Sequence, residues 1–569
     1  MPTGFKLGAV LFSFMLKAPQ PQSPIDLSRI VFPRRLFATG IFSRLVCVTA
    51  LFVFELIVIT IWLDTSALQG KGGLIGAVGD FGPHILQSLV VFATVLVALS
   101  YSRATSTFLA INNRLAEVPP AWLLLATHCA AMSVFACLSW LLFGGTPLAR
   151  NLLVFVWLAA GICGIAAGLA FFIPPKCLRE LAGSAGSAWI YAISAALITP
   201  GAVIASKRLW KPATALTFEF VRSLAGPFVN KLISNPATQT IGTQKFAIRI
   251  EPGCSGLEGV GLMLVFSGLW LWFFRSDYKF PRALLLVPIG VFVIFLLNAV
   301  RITMLILIGD AGARSIAVGG FHSQAGWLAF NSVALSMACK AHRVPWLSSG
   351  QSLAAVSEGE SPTAAYLVPF LAILAAAMVS RATSGNFEWM YPLRFAAAAG
   401  ALLLYWRKYA AMNWSFGWAA PTVGGLVFIL WIGLDRIAGT HSASGMAASL
   451  VALPSAARMT WLVFRILATV LTVPIAEELA FRGFLLRRLI SADFESVSLQ
   501  RWSFLAVAVS SVVFGLLHGD RWFAGTIAGI LYAGAQKWRG RIGDAVVAHA
   551  VTNGLISVCV LCGGHWSLW

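Results

Sequence analysis

Long apolar runs separated by short basic loops restrict this chain to a lipid environment. Runs of near-spanning length lie near residues 42–63, 85–100, 121–144, 151–173, 187–205, 257–274, 284–308, 323–340, 364–380, 394–406, 420–435, 460–476, 503–518, 523–535 and 544–562. Inside a bilayer each backbone N–H and C=O must be satisfied within the protein, so runs of this length are expected to be helices. Only 11% of the 569 residues are charged, against roughly 25% in a soluble domain. The fold class expected is an all-α polytopic membrane protein of about 13–15 spans. It is expected to comprise two helical-bundle modules and a small extracytoplasmic loop region with short β structure.

The formal charge is +20. In a soluble protein this excess would point to nucleic acid. Here Lys and Arg gather in short loops between runs, such as Arg34-Arg35 and Arg487-Arg488. That pattern reads as cytoplasmic loops facing anionic lipid, with no nucleic-acid partner. Residues 1–40 are basic and not continuously apolar, as in a cytoplasmic tail rather than a cleaved signal peptide. Of nine cysteines, Cys47, Cys129, Cys137, Cys163, Cys339, Cys559 and Cys562 lie in apolar runs and read as small buried hydrophobes. Cys177 sits in a basic, Pro-containing stretch without an evident partner. Cys559 and Cys562 form a CxxC with no second pair, so packing is the better reading than redox or metal. Cys254 alone stands in a motif-like setting.

Residues 344–363 are Ser-, Gly-, Pro- and Glu-rich and lack an apolar period, which reads as a linker. The modules are therefore placed at 41–343 and 364–569. A second polar stretch, 206–253, ends in the alternation Phe246-Ala247-Ile248-Arg249-Ile250 and is expected to form a small folded loop over the membrane surface.

Charge orders the first module. The apolar run after Cys254 ends in the basic segment Arg275–Arg282, expected on the cytoplasmic side. Cys254 then lies at the opposite, external end. The next run climbs outward and carries Arg301 in its later half. His322 opens a helix that descends to the basic Lys340–Arg343. Cys254, Arg301 and His322 thus fall near one face. The segment Pro252-Gly253-Cys254-Ser255-Gly256 puts the thiol at a helix N-terminus, where free N–H groups favour a thiolate. His322 is suited to acid–base work and Arg301 to holding a thiolate or carbonyl. Glu251 and Glu258 are placed to orient these groups.

The segments Glu251–Gly259, Asn298-Ala299-Val300-Arg301 and Phe321-His322 resemble the exosortase/archaeosortase family over roughly residues 40–340. The resemblance implies a transpeptidase-like enzyme that recognises and cleaves a C-terminal sorting tail made of a short motif, a transmembrane helix and a basic end. It implies acyl-enzyme formation at Cys254, proton shuttling by His322 and charge stabilisation by Arg301, without a metal.

In the second module Glu477-Glu478 follows an apolar run, and Arg482 lies four residues beyond Glu478 on the same helical face. Two adjacent carboxylates at the end of a span repel each other, which suits one of them to base chemistry. His518 ends another run, and His549 and Asn553 share a face inside the last. Two His and a Glu are also zinc-type ligands. No HExxH spacing occurs, so the sequence leaves a metal at Glu477, His518 and His549 open.

The pattern EExxxR, FxxxH, HxxxN resembles the CAAX-processing and bacteriocin-processing (CPBP) intramembrane proteases over roughly residues 365–569. The resemblance implies that Glu477 activates water with help from His518. It implies that His549 and Asn553 form the oxyanion site, and that Glu478 and Arg482 brace the Glu477 helix. A fusion of the two modules resembles the exosortase subclass that carries its own protease domain, associated with the VPEID variant of the PEP-CTERM signal. Its implied partners are exported proteins with a sorting tail and membrane lipids. The implied location is the bacterial inner membrane, multi-pass, with the Cys254 site on the extracytoplasmic side and no cofactor. The competing readings are a polytopic transporter and a sorting scaffold with only one active module or none.

Overall fold

A computed structural model of the chain describes residues 121–143, 151–229, 231–349, 362–385, 387–438, 445–491 and 493–569, with scattered residues between 51 and 100. Residues 1–40, most of the runs at 42–63 and 85–100, Cys47 and 350–361 lie outside the described residues. The chain divides into two compact units, 25–208 and 209–569, each taken here at its described residues.

In the first unit, α1 (Trp122–Phe143) and α2 (Asn151–Phe172) form a hairpin of apolar helices. Trp157 stacks on Phe135 at 4.9 Å and donates to Ser139 Oγ at 2.8 Å. Buried His128 sits between the Gly164 carbonyl, 2.9 Å from Nδ1, and Glu55, 2.8 Å from Nε2. A polar group inside an apolar bundle needs such partners. Cys129, Cys137 and Cys163 are exposed on the helix surfaces rather than buried. Cys177 is buried, packed with Ile173 at the start of α3 (Pro175–Ala185). A bend of 85° separates α3 from the first turns of α4 (Ala188–Ala225).

Residues 206–225, expected to lie in a loop, continue α4, and those from 209 onward belong to the second unit. Thr214, Phe218, Val221 and Ala225 are buried at helical spacing, and this face packs on Ile302 and Ile306. The folded loop is shorter, beginning near Gly226. It is an antiparallel meander of β1 (Ile233–Asn235), β2 (Thr240–Gly242) and β3 (Ala247–Arg249), with Ile241 opposite Ile248. Its first turn is closed by Asn235 Oδ1, which accepts from the N–H groups of Ala237 and Thr238. The alternation read at 246–250 holds, since Phe246 and Ile250 are buried while Ala247 and Arg249 are exposed.

Three helices come next along the chain: α5 (Leu257–Phe273), α6 (Leu286–Asp310) and α7 (His322–Lys340). They enclose Met263, Phe266, Trp270, Ile294, Phe330 and Ala334. The β-meander is pinned to the end of α6. Thr243 Oγ1 donates to Asp310 at 2.6 Å, and Phe246 rests against Gly309, where a Cβ would overlap its ring. Residues 344–349, at the start of the stretch read as a linker, fold back on the basic loop. The Lys279 N–H donates to Leu347 O at 2.8 Å, and the Ser349 N–H to Asp277 O at 3.0 Å.

The rest of the unit contains α8 (Pro362–Ala382), α9 (Pro392–Leu404), α10 (Ala419–Ala438), α11 (Ser455–Leu467), α12 (Val473–Glu478), α13 (Phe504–Leu516), α14 (Trp522–Arg539) and α15 (Ile542–Gly563). Tyr366, Phe370, Phe481, Phe484, Phe514 and Tyr532 lie in its core. α13 and α14 meet at backbone distance, because a Cβ at Gly515 would overlap Trp522 O and Thr526. Arg487 is no loop charge. It is buried, and its guanidinium donates to the carbonyls of Gly483, Glu495 and Val497.

Every apolar run from residue 121 onward is helical. Among the described residues seven helices are long and apolar enough to cross a membrane, or eight if the bent α3–α4 pair is one span. This is below the expected count of about 13–15. The helices Leu257–Phe273, Pro392–Leu404 and Phe504–Leu516 are too short. The helix α7 carries Gln324 and Asn331, and α14 carries Gln536 and Lys537, which lowers their hydropathy.

If the meander is seated as described, Gly309→Val forces Phe246 off α6 and costs about 1–3 kcal/mol by overpacking. A lowered unfolding midpoint in detergent checks this, and an unchanged midpoint would contradict the seating of Phe246.

Candidate active sites

The first site is built on a short turn. Pro252–Cys254 forms one 3₁₀ turn, closed by the Cys254 N–H donating to Glu251 O at 2.8 Å. Gly256 caps α5 at φ 82°, a left-handed conformation that glycine adopts without strain. Cys254 therefore lies two residues ahead of the helix cap, slightly outside the first helical turn. Two side chains clamp this turn. Asn298 of α6 donates to Cys254 O at 3.0 Å, and Thr217 of α4 donates to Ser255 O at 3.0 Å. Between them they hold the thiol in place with main-chain contacts.

The sulfur of Cys254 is 3.7 Å from His322 Nε2, although 68 residues separate the two in sequence. His322 is the first residue of α7 and comes directly after a π-helical turn, Ile316–Phe321. Arg301 stands three residues after Asn298 in α6, one turn along the same face. Its guanidinium occupies space that Gly326 leaves open on α7, where a Cβ would be 2.8 Å from Nη1. Its Nε has no hydrogen-bond partner among the described residues, and Cys254 and Glu258 are the acidic groups that lie close enough to act on it. Glu251 contributes through its carbonyl, and its side chain is exposed. The chemistry open to this arrangement is clear. A thiol beside an imidazole nitrogen can pass its proton and become a nucleophile. A fixed guanidinium next to it can stabilise a thiolate or a developing oxyanion.

The second site centres on a carboxylate with no exposed surface. Glu478 Oε1 accepts from His549 Nδ1 at 2.9 Å. Glu478 Oε2 faces Arg482 Nε at 3.1 Å, off the hydrogen-bond axis, so this contact is an ion pair. Arg482 also donates to Gly529 O at 3.0 Å and lies over the Phe514 ring at 4.3 Å. His549 is stacked on Tyr532 at 4.9 Å and meets the edge of Phe514 at 5.7 Å. With Nδ1 donating to Glu478, the Nε2 of His549 is directed elsewhere, and Glu477 Oε2 lies 4.0 Å from it. That Glu477 oxygen is buried and has no hydrogen-bond partner among the described residues.

His518, His549 and Asn553 face one cavity of about 150 Å³, while Glu477 is not in its wall. His518 Nδ1 is 3.0 Å from Phe514 O, and its ring meets Trp431 edge-on at 5.4 Å. Asn553 donates to Thr469 O at 2.8 Å, in a π-helical turn at Ala468–Thr472. Another π-helical segment, Leu479–Leu485, carries Arg482. Such turns widen the helix and re-aim side chains, and they recur at functional sites. Among the described residues no three His, Cys, Asp or Glu side chains gather as a metal-holding group.

Several contributors had no role in the sequence reading. Asn298 was legible, being a polar residue one turn before Arg301 in an apolar run. Arg465, a lone charge in the apolar run before Glu477, was equally legible. Gly326, Thr469 and Tyr532 had no signal beyond their helices.

Removing one partner of a buried ion pair strands the other. Arg482→Met is therefore expected to cost about 3–5 kcal/mol. Adding Glu478→Leu should recover part of that loss. Unfolding midpoints of the single and double variants in detergent test this, and equal midpoints for Arg482→Met and wild type would contradict it.

Residues 81–339 match the family model of the transmembrane exosortases. Residues 459–555 match that of the type II CAAX prenyl endopeptidase Rce1-like proteins. No curated protein and no solved structure matches the chain. The first match takes in Cys254, Arg301 and His322, and the second takes in Glu477, Glu478, Arg482, His518, His549 and Asn553. The chain is a polytopic membrane protein with one segment similar to the transmembrane exosortases and another similar to the Rce1-like CAAX prenyl endopeptidases.

Proposed function

We propose that the chain is a bifunctional enzyme of protein sorting in a bacterial inner membrane. Its first site cleaves C-terminal sorting tails of the PEP-CTERM type, in the VPEID variant, from exported proteins. Its second site is a glutamate-type intramembrane endopeptidase. The observation that carries the reading is the 3.7 Å approach of Cys254 Sγ to His322 Nε2 between residues 68 positions apart. The buried Glu478–His549 pair beside Glu477 supports the second activity. The basic loop at Arg275–Arg282 supports an extracytoplasmic position for Cys254.

At the first site His322 takes the thiol proton, and the Cys254 thiolate attacks the scissile carbonyl of the tail. Arg301 stabilises the oxyanion. The C–N bond then breaks, and His322 returns the proton to the departing amine. The resulting thioester is resolved by an incoming nucleophile, which regenerates the thiol. At the second site Glu477 takes a proton from water as the hydroxide adds to a peptide carbonyl, and it returns that proton to the departing amine when the C–N bond breaks. The Nε2 of His549, the amide of Asn553 and the ring of His518 surround the developing charge. Glu478 fixes the tautomer of His549 by accepting from Nδ1, and Arg482 compensates the buried carboxylate. The side chains of the two sites supply every proton transfer in this scheme, and no cofactor is proposed.

Processing of a tail-bearing substrate in membranes, read by intact mass, tests the assignment. Cys254→Ala is expected to stop tail removal, and His322→Ala to slow it by about 10²–10⁴-fold. If Glu477→Ala leaves tail removal intact, the second site has a separate target. If it blocks removal, the sites act in series. Equal cleavage by all variants would overturn the sorting reading and favour a transporter or scaffold.

A further inference from the structure

Contacts within the unit 209–569 carry both sites toward one end of the helices. Gly320, just before His322, lies against the carbonyls of Arg381 and Ser384 at the end of α8. A few residues on, Glu388 O accepts from Trp461 Nε1 at 2.9 Å, and Tyr391 lies under the Arg465 guanidinium at 4.0 Å. Arg465, Leu568 and His518 line the outer part of the second cavity, and His518 leads into the exposed Asp520. His549 and Tyr532 form its inner part, and His549 is seven residues, about 10 Å, from the start of α15. The opposite end of the helices is basic. There Lys408 pairs with Glu495 and lies over Tyr366 at the start of α8, Arg539 fills the space beside Gly417, and Arg541 donates to Ser415 Oγ. Between His549 and that end stand Phe481, Arg482, Phe484, Gln536 and Ala545, each no more than 2% exposed.

We infer that the second site is entered from the membrane face on which Cys254 stands, and that its substrate is the membrane-embedded tail fragment released by the first cut. A peptide offered from the basic end would meet packed core at backbone density. One offered from the Cys254 end meets the cavity. The first cut breaks a C–N bond, leaves the acyl part on Cys254 and frees a tail with a new amine on that same face. The apolar helix of the tail keeps the fragment in the bilayer, so it reaches the cavity by lateral diffusion without crossing the membrane. Each bond then hydrolysed consumes one water, with the hydroxyl going to the carbonyl carbon and the proton to the departing nitrogen. The naming of the substrate rests on the reading of both sites as peptidases, whereas the side of entry does not.

The test has one arm for each part. In the first, the full chain carries Ser234→Cys in β1, Asp520→Cys beside His518 and Ser498→Cys at the basic end, all at exposed loop or strand positions. Spheroplasts are treated with a membrane-impermeant maleimide before and after permeabilisation, and labelling is read residue by residue from peptide masses, so the native cysteines stay. Positions 234 and 520 are expected to label in intact spheroplasts, and position 498 only after permeabilisation. Labelling of 520 together with 498 would overturn the inference. If 234 and 520 both wait for permeabilisation, the shared face stands and the extracytoplasmic placement of Cys254 falls. In the second arm, the tail fragment released from a tail-bearing substrate is weighed by mass spectrometry. Losing a general base slows its step by about 10²–10⁴-fold, so Glu477→Gln is expected to raise the full-length share of the released tail about tenfold or more. An unchanged share would overturn the inference, and so would shortened tail in the Cys254→Ala chain. If Glu477→Gln leaves the tail attached, the order is reversed and the inference falls. If the wild-type chain releases no tail, the sorting reading falls, and the named substrate with it, while the labelling arm still decides the side of entry.

Discussion

The second half of the molecule is organised around one carboxylate that water does not reach. Glu478 is fully buried, and a lone carboxylate there would cost several kcal/mol. Two partners make the position tolerable: Arg482, one turn on, and His549, 71 residues away. Satisfying Glu478 thus fixes how α15 sits against the helix that carries Glu477. It also fixes the tautomer of His549, because Nδ1 must be the donor. The remaining imidazole nitrogen is then presented at 4.0 Å to Glu477 Oε2, which has no hydrogen-bond partner among the described residues. One carboxylate that is hydrogen-bonded to His549 and one whose Oε2 has no hydrogen-bond partner among the described residues, adjacent in sequence, receive different environments from a single set of contacts.

Much of this was legible in the sequence. The i,i+4 relation of Glu478 and Arg482 predicted their pairing, and it survives in a π-helical segment. Alternating charge in the loops put Cys254 and His322 at like ends of α5 and α7, and their side chains do meet. The helices themselves came from apolar length. The partner of His549 was not legible, because Glu478 and His549 are 71 residues apart and no local rule links them. The end of α4 was misread for a related reason. Residues 206–225 are polar enough to suggest a loop, but their helical period emerges only when Thr214 is counted with the buried face. Arg487 was misread as a loop charge because its three carbonyl partners come from its own helix and from the chain's bend after Ile490.

Backbone geometry is shared by the two sites. π-Helical turns occur directly before His322, at the Thr469 carbonyl that receives Asn553, and around Arg482. Each of them interrupts a helix of otherwise ordinary apolar composition. A regular α-helix repeats every 3.6 residues and presents side chains in fixed stripes. One extra residue in a turn rotates the next stretch of helix, so a polar side chain can be turned inward without changing the lipid-facing stripe. Apolar composition records the stripe, and it is silent about the rotation.

The unit formed by residues 209–569 also places the two sites on a common support. The π-turn that precedes His322 rests on the end of α8. A Cβ at Gly320 would overlap the carbonyls of Arg381 and Ser384, and one at Gly385 would be 2.7 Å from Ser315 Oγ. Backbone at that distance cannot slide without moving its neighbour. The position of His322 relative to Cys254 is therefore set partly by α8, whose other turns supply Tyr366 and Phe370 to the core around Phe481. A substitution in the core beside Glu477 can reach His322 through packing alone. Loss of one activity on mutating the other site is then evidence of chemical coupling only when the stability of the variant is unchanged.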